Sequence, residues 1–119
     1  MHLQKVYASL LTANLAAAES WYTKLLGRGP DHQPMDTLLH WELFEQGGLM
    51  LSSSDEIAAK GVVFLYVEDV AAERRRLKGL GIELGDDIKG DYSTLAQVRD
   101  PDGNLITLAS PPSRPFPKA

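Results

Sequence analysis

Val98-Arg99-Asp100-Pro101-Asp102-Gly103-Asn104-Leu105-Ile106-Thr107-Leu108 carries the clearest structural signal in the chain. Alternating apolar residues flank a turn in which proline pre-sets φ and glycine or asparagine accepts positive φ. The segment reads as two antiparallel strands, over residues 93–99 and 105–109, joined by a tight turn. Upstream of it, residues 62–67 read as another strand. Asp69 then suits a helix N-cap, residues 70–80 a helix with Val70, Leu77 and Leu80 on one stripe, and Gly81 its stop.

The same order stands in the first half. Residues 6–11 read as a strand, Asn14 as an N-cap, residues 15–26 as a helix and Gly27 as its stop. Leu15, Ala18, Trp21, Tyr22 and Leu25 recur at helical spacing. Residues 37–45 and 49–53 read as strands on either side of a Gly47-Gly48 turn. The caps Asn14 and Asp69 lie 55 residues apart, the stops Gly27 and Gly81 54, and the hairpin glycines Gly47 and Gly103 56. Three landmarks at nearly one offset indicate a duplicated unit. With one weak edge strand in each gap, near residues 28–33 and 82–87, each unit becomes βαβββ. Module one spans about 3–54 and module two about 61–110, together one domain over 1–110. The proline-rich stretch 111–119 cannot continue a central strand and is expected to be a flexible arm.

The 119 residues are 44% hydrophobic and 24% charged, enough to bury a core and too few for several domains. Cysteine is absent, which excludes a disulfide scaffold, a zinc finger, an iron–sulfur site and a thiol nucleophile. The net charge of -4 and pI of about 5.3 argue against a nucleic-acid or anionic-membrane surface. The one basic cluster, Arg74, Arg75 and Arg76, lies in a helical stretch. No apolar run approaches the roughly 20 residues of a membrane span, and residues 1–5 form no apolar leader. The expected location is the cytoplasm.

The hairpin quoted above resembles the closing hairpin of the vicinal oxygen chelate superfamily, which includes glyoxalase I, extradiol dioxygenases, fosfomycin-resistance enzymes and bleomycin-resistance proteins. Ser20-Trp21-Tyr22-Thr23-Lys24-Leu25-Leu26-Gly27 resembles its first-helix signature, and Val67-Glu68-Asp69-Val70 the start of its second helix. The resemblance spans residues 3–110. It implies an α+β fold of two tandem βαβββ modules whose strands form a curled, U-shaped sheet around a cleft, with helices on the outer face.

Metalloenzymes of that superfamily place His or Glu at inward strand positions. Here those positions fall on Tyr7, on Val62, on Thr107, and on Leu51 or, if the Gly47-Gly48 turn is shifted by one, Ser52. These residues are no ligand set for Fe, Ni, Mn or Zn, so no metal and no cofactor are expected. His2 precedes the first strand and His32 lies in a loop. His40 shares a strand face with Glu42, one step out of phase with Trp41. The pair is read as half-exposed on the outer face, and Trp41 as facing the cleft.

Strand alternation places Val6, Ala8, Leu10, Val63, Leu65, Val67, Ala96, Val98, Ile106 and Leu108 under the helices. The opposite face mixes aromatic and polar groups, as small-molecule pockets do. Its candidate ligand contacts are Tyr7, Trp41, Phe64, Tyr66, Gln97, Arg99 and Thr107. Glu19 and Glu73 fit solvated helix surfaces, and Asp100 and Asp102 fit local turn bonding. The resulting expectation is a metal-independent protein that binds a small organic ligand as bleomycin-resistance proteins do, sequestering it without turnover and working as a homodimer. The alternative is a glyoxalase-like lyase or isomerase acting on a small carbonyl or aromatic substrate.

Overall fold

The computed structural model describes residues 1–55 and 60–118. Both expected helix starts form as the side-chain chemistry requires. Asn14 Oδ1 accepts from Ala17 N at 3.1 Å and opens α1 (Leu15–Leu26). Asp69 Oδ1 accepts from Ala72 N at 3.2 Å and opens α2 (Val70–Gly79). Each caps an otherwise orphaned first-turn amide. The stops form too. Gly27 takes φ 75° and donates to Thr23 O at 2.9 Å, and Gly81 takes φ 83° beyond the end of α2.

The strands are β1 (Val6–Thr12), β2 (His32–Met35), β3 (Leu38–Phe44) and β4 (Gly47–Ser53) in the first half. The second half holds β5 (Val62–Tyr66), β6 (Ile88–Lys89), β7 (Thr94–Arg99) and β8 (Leu105–Ala109). They form two four-stranded sheets, ordered β1-β4-β3-β2 and β5-β8-β7-β6. In each, the first strand runs parallel to the last and the other pairings are antiparallel. The duplication read from glycine and cap spacing is therefore a duplicated topology, an α+β fold of two βαβββ modules. Among the described residues no helix is long and apolar enough to cross a membrane.

The chain divides into two compact units, residues 1–61 with 100–104, and residues 62–99 with 105–119. In the first, α1 buries Ala18, Tyr22 and Leu25 over Leu10, Leu39, Trp41, Leu49 and Leu51. In the second, Val70 and Leu77 of α2 join Ile82, Leu84, Ala96, Ile106 and Leu108 in the core.

Three local expectations shift, the first being the edge strand expected near residues 28–33, which forms as β2 at His32–Met35 and so takes His32 out of a loop. Gly47 and Gly48 belong to β4, not to the turn, which falls on residues 45–46. A Cβ on Gly47 would lie 1.7 Å from Val6 O, and one on Gly48 1.8 Å from Trp41 O. The glycines are there so that two neighbouring backbones can approach β4. The edge strand expected near 82–87 is the two-residue β6 instead. Ile82 and Leu84, 4% and 5% exposed, alternate like a strand but enter the core. Gly85 N, bonded to Gln97 O at 2.8 Å, ties the segment to the sheet ahead of β6.

Residues 100–104, the turn between β7 and β8, belong to the first unit, where Asp100 and Asn104 are buried and held by polar contacts. The Asp100 carboxylate accepts from Tyr22 Oη at 2.6 Å, Asn104 Nδ2 at 2.8 Å, Asn104 N at 2.8 Å and Asp102 N at 2.9 Å. Burial first, and then this hydrogen bond to Asp100, hold the Tyr22 phenol well above its ordinary value of 10.0. Stability from that shift is complete below pH 10 and lost as pH rises beyond it, because the unfolded phenol then ionises while the folded one keeps its proton. Tyr22→Phe is expected to lower stability at neutral pH by about 1–3 kcal/mol. Between about pH 10 and 11.5 the variant should lose stability less steeply than the parent, approaching about 1.4 kcal/mol per pH unit less. Urea unfolding across that range measures both effects, and identical slopes would refute the coupling.

Candidate functional site

In each sheet one face is covered by a helix and the other is left helix-free. The register decides which residue lies where. Tyr7 pairs with Gly48, Ser9 with Met50 and Leu11 with Ser52, while His40 pairs with Met50 and Leu38 with Ser52. The helix-free face of the first module therefore carries Tyr7, Ser9, Leu11, Leu38, His40, Met50 and Ser52.

This register reverses the expected phase of β3. Trp41 pairs with Leu49 and is 0% exposed, in the core with Tyr22 at a centroid distance of 6.3 Å. Its indole Nε1 donates to Arg28 O at 2.9 Å. Trp41 does not face an open cleft, because the apolar pair Leu39 and Trp41 lies under α1 while the polar pair His40 and Glu42 faces the other way. Leu51, 0% exposed, also lies on the helix side, so of the two β4 alternatives only Ser52 reaches the helix-free face.

Tyr7, His40 and Glu42 consequently meet. Tyr7 Oη donates to the Glu42 carboxylate, 2.8 Å from each oxygen. The Lys5 ammonium stands 3.9 Å from Oε2 and His40 Nδ1 3.9 Å from Oε1. The Tyr7 and His40 rings lie 5.3 Å apart. The hydrogen bond to Glu42, followed by desolvation, raises the Tyr7 phenol above its usual range. His40 Nε2 is enclosed without a hydrogen-bond partner among the described residues. Behind Glu42, its backbone N–H donates to Asp31 Oδ2 at 2.8 Å, and Arg28 bonds Asp31 Oδ1 at 2.6 Å. Those contacts hold the Asp31 carboxyl below its ordinary range, the backbone bond contributing most.

The helix-free face of the second module agrees with the sequence reading. Val62 pairs with Leu105, Phe64 with Thr107 and Tyr66 with Ala109; across β8, Gln97 faces Thr107 and Arg99 faces Leu105. Phe64 and Tyr66 are 50% and 57% exposed, with rings 5.2 Å apart. Gln97 Nε2 donates to Thr107 Oγ1 at 3.2 Å. Thr107, by contrast, is 3% exposed.

The residues at the metal positions do not fit a metal. Tyr7 is bonded to a carboxylate, Val62 is aliphatic, and the Thr107 hydroxyl is bonded to Gln97. Among the described residues no three His, Asp or Glu side chains group to hold an ion. Sequence reasoning missed the Tyr7–Glu42 pair. The apolar alternation Leu39, Trp41 against Leu49, Leu51 is the signal that could have found it, since the more apolar set belongs under the helix.

A model of the glyoxalase/bleomycin resistance protein/dioxygenase superfamily matches residues 4–108. A glyoxalase/bleomycin resistance protein from Catenulispora acidiphila is similar over 91% of this chain and 98% of its own, with 28% identity and TM-score 0.81. Lactoylglutathione lyase from Agrobacterium tumefaciens matches at 20% identity over 88% of this chain and 91% of its own, TM-score 0.74. A bleomycin-binding protein complexed with bleomycin matches at 19% identity over 89% and 97%, TM-score 0.71. No curated protein matches.

Two expected outcomes follow from the geometry. Glu42→Gln should bring the Tyr7 ionisation midpoint back down toward the usual phenol range, as followed by the pH titration of the tyrosine ring carbons in NMR; an unmoved midpoint would refute the pairing. Trp41→Ala should remove about 3–5 kcal/mol of folding stability, as for other buried aromatic truncations. A loss below about 1 kcal/mol in chemical denaturation would contradict the core placement.

Proposed function

The chain belongs to the glyoxalase/bleomycin resistance protein/dioxygenase superfamily, and on that premise we propose that it is a metal-independent small-molecule-binding protein. In this reading it resembles the bleomycin-binding branch, sequesters an organic ligand without turnover, and acts in the cytoplasm as a homodimer. The observation that carries the reading is the exposed Phe64–Tyr66 pair, beside the hydrogen-bonded Gln97 and Thr107. Large aromatic side chains left open together on a sheet mark a surface meant to be covered. The polar pair beside them supplies the directional groups that orient a ligand.

Two features support binding over metal-dependent turnover. The donor set fits no metal, and the carboxylate of Glu42 is already committed to Tyr7. The proposed contacts are Phe64, Tyr66, Gln97 and Arg99 on the second module's helix-free face, where Thr107, 3% exposed, holds the Gln97 amide. The solved bleomycin complex of a protein with this fold is the likeness that supports an organic ligand.

Thermal denaturation against a panel of antibiotics and small aromatic or dicarbonyl metabolites tests this. A ligand present at about a hundred times its Kd should stabilise the native state by about 2.7 kcal/mol. The shift should survive EDTA, and the ligand should be recovered unchanged. A metal requirement, or conversion of the ligand, would overturn the reading. Light scattering on the same sample is expected to give the mass of two chains.

A further inference from the structure

A groove of about 190 Å³ lies on the second module, lined by Phe64, Tyr66, Tyr92, Leu95 and Phe116 with Asp91 beside them. Phe64 and Tyr66 come from the helix-free sheet face, but Phe116 comes from the proline-rich C-terminal stretch. Three contacts of that stretch converge on one residue. Ser113 N donates to Tyr92 O at 2.8 Å, the Arg114 guanidinium carbon lies 4.6 Å from the Tyr92 ring centroid, and the Phe116 ring centroid lies 4.8 Å from it. Pro111, Pro112, Pro115 and Pro117 restrict the stretch before it docks, so less freedom is lost in holding it there. Its end is therefore placed to form a wall.

The lining also specifies chemistry. A cavity of about 150 Å³ accepts benzene, so this groove suits one ring or two fused rings. Aromatic faces attract cations, and the Arg114 guanidinium on Tyr92 is an instance of that attraction in the groove's own wall. Asp91 is the one carboxylic acid among the lining residues, which include no Lys, Arg or His. Ser93 also lines the groove, and its Oγ has no hydrogen-bond partner among the described residues.

We propose that residues 111–118 form the outer wall of a groove, latched on Tyr92, that binds a planar cationic ring system of one or two fused rings between Phe116 and the Phe64–Tyr66 pair. The proposal rests on the small-molecule reading above and names its ligand class and the segment that completes the site.

The test is fluorescence titration of the full chain with N-methylquinolinium as the cation and naphthalene-2-sulfonate as an anion of similar size. The parent should bind the cation saturably and the anion more weakly. Phe116→Ala and Phe64→Ala should each weaken cation binding by about fivefold, the range of a lost aromatic contact. Asp91→Asn should narrow the preference for the cation. Phe116 is 52% exposed, so its variant should fold, and an unchanged melting temperature checks this. Tyr92→Ala, which removes the latch, should reproduce the loss.

Weakening by Phe64→Ala but not by Phe116→Ala or Tyr92→Ala would overturn the wall and leave the small-molecule reading intact. So would a parent that ignores N-methylquinolinium yet is stabilised by another ligand of the panel. Equal binding of the anion would overturn the charge assignment. If nothing in the panel binds, both readings fall.

Discussion

One carboxylate governs the first compact unit. Asp100 is 6% exposed and accepts four hydrogen bonds, two from backbone amides of its own turn and two from side chains. A buried carboxylate left unpaired would be strongly destabilising, so every group bonded to it is held to one geometry. Tyr22 fixes how α1 lies over the core. Asn104 passes the constraint on, because its Oδ1 accepts from Gly61 N at 2.6 Å and its Nδ2 reaches Leu11 O at 3.4 Å. Asp102 adds a bond from Ala13 N at 2.9 Å, one residue before the α1 cap. The Asp-Pro-Asp-Gly-Asn stretch is thus determined twice, by turn stereochemistry and by its polar partners.

A second constraint sets which side chains reach the helix-free face of the first module. β4 is a central strand with two glycines at its start, each with a neighbouring backbone where a Cβ would stand. A residue with a side chain there would have to displace β1 or β3. The glycines therefore protect the register, and a slip by one residue would exchange the two faces of the strand. With the observed register, His40 joins Tyr7 and Trp41 joins the core.

The fold was legible because its signals are local. Asn14, Asp69, Gly27 and Gly81 act within one helical turn, and their repetition at one offset exposes the duplication. The edges were less legible, since a two-residue ladder such as β6 carries too few side chains to show alternation. The phase of β3 was misread because Trp41 is equally at home on a ligand-facing wall and in a core, and only pairing with Leu49 separates these. The groove wall was unreadable for a different reason. Proline excludes a central strand but does not say where a chain goes, and the contacts that hold it converge on Tyr92, some twenty residues away in sequence.

The two helix-free faces differ in what they leave unsatisfied, and that difference bears on specificity. On the first, Glu42 and Tyr7 satisfy one another, so a ligand hydrogen-bonding there must compete with a 2.8 Å contact already made. Such a site discriminates by displacement and gains little net energy, because one charge-assisted bond replaces another. On the second, exposed aromatic surface is the dominant unsatisfied quantity, and covering it releases water without breaking a protein bond. Under the proposed binding function, affinity therefore arises chiefly on the second module, where Phe64 and Tyr66 stand open.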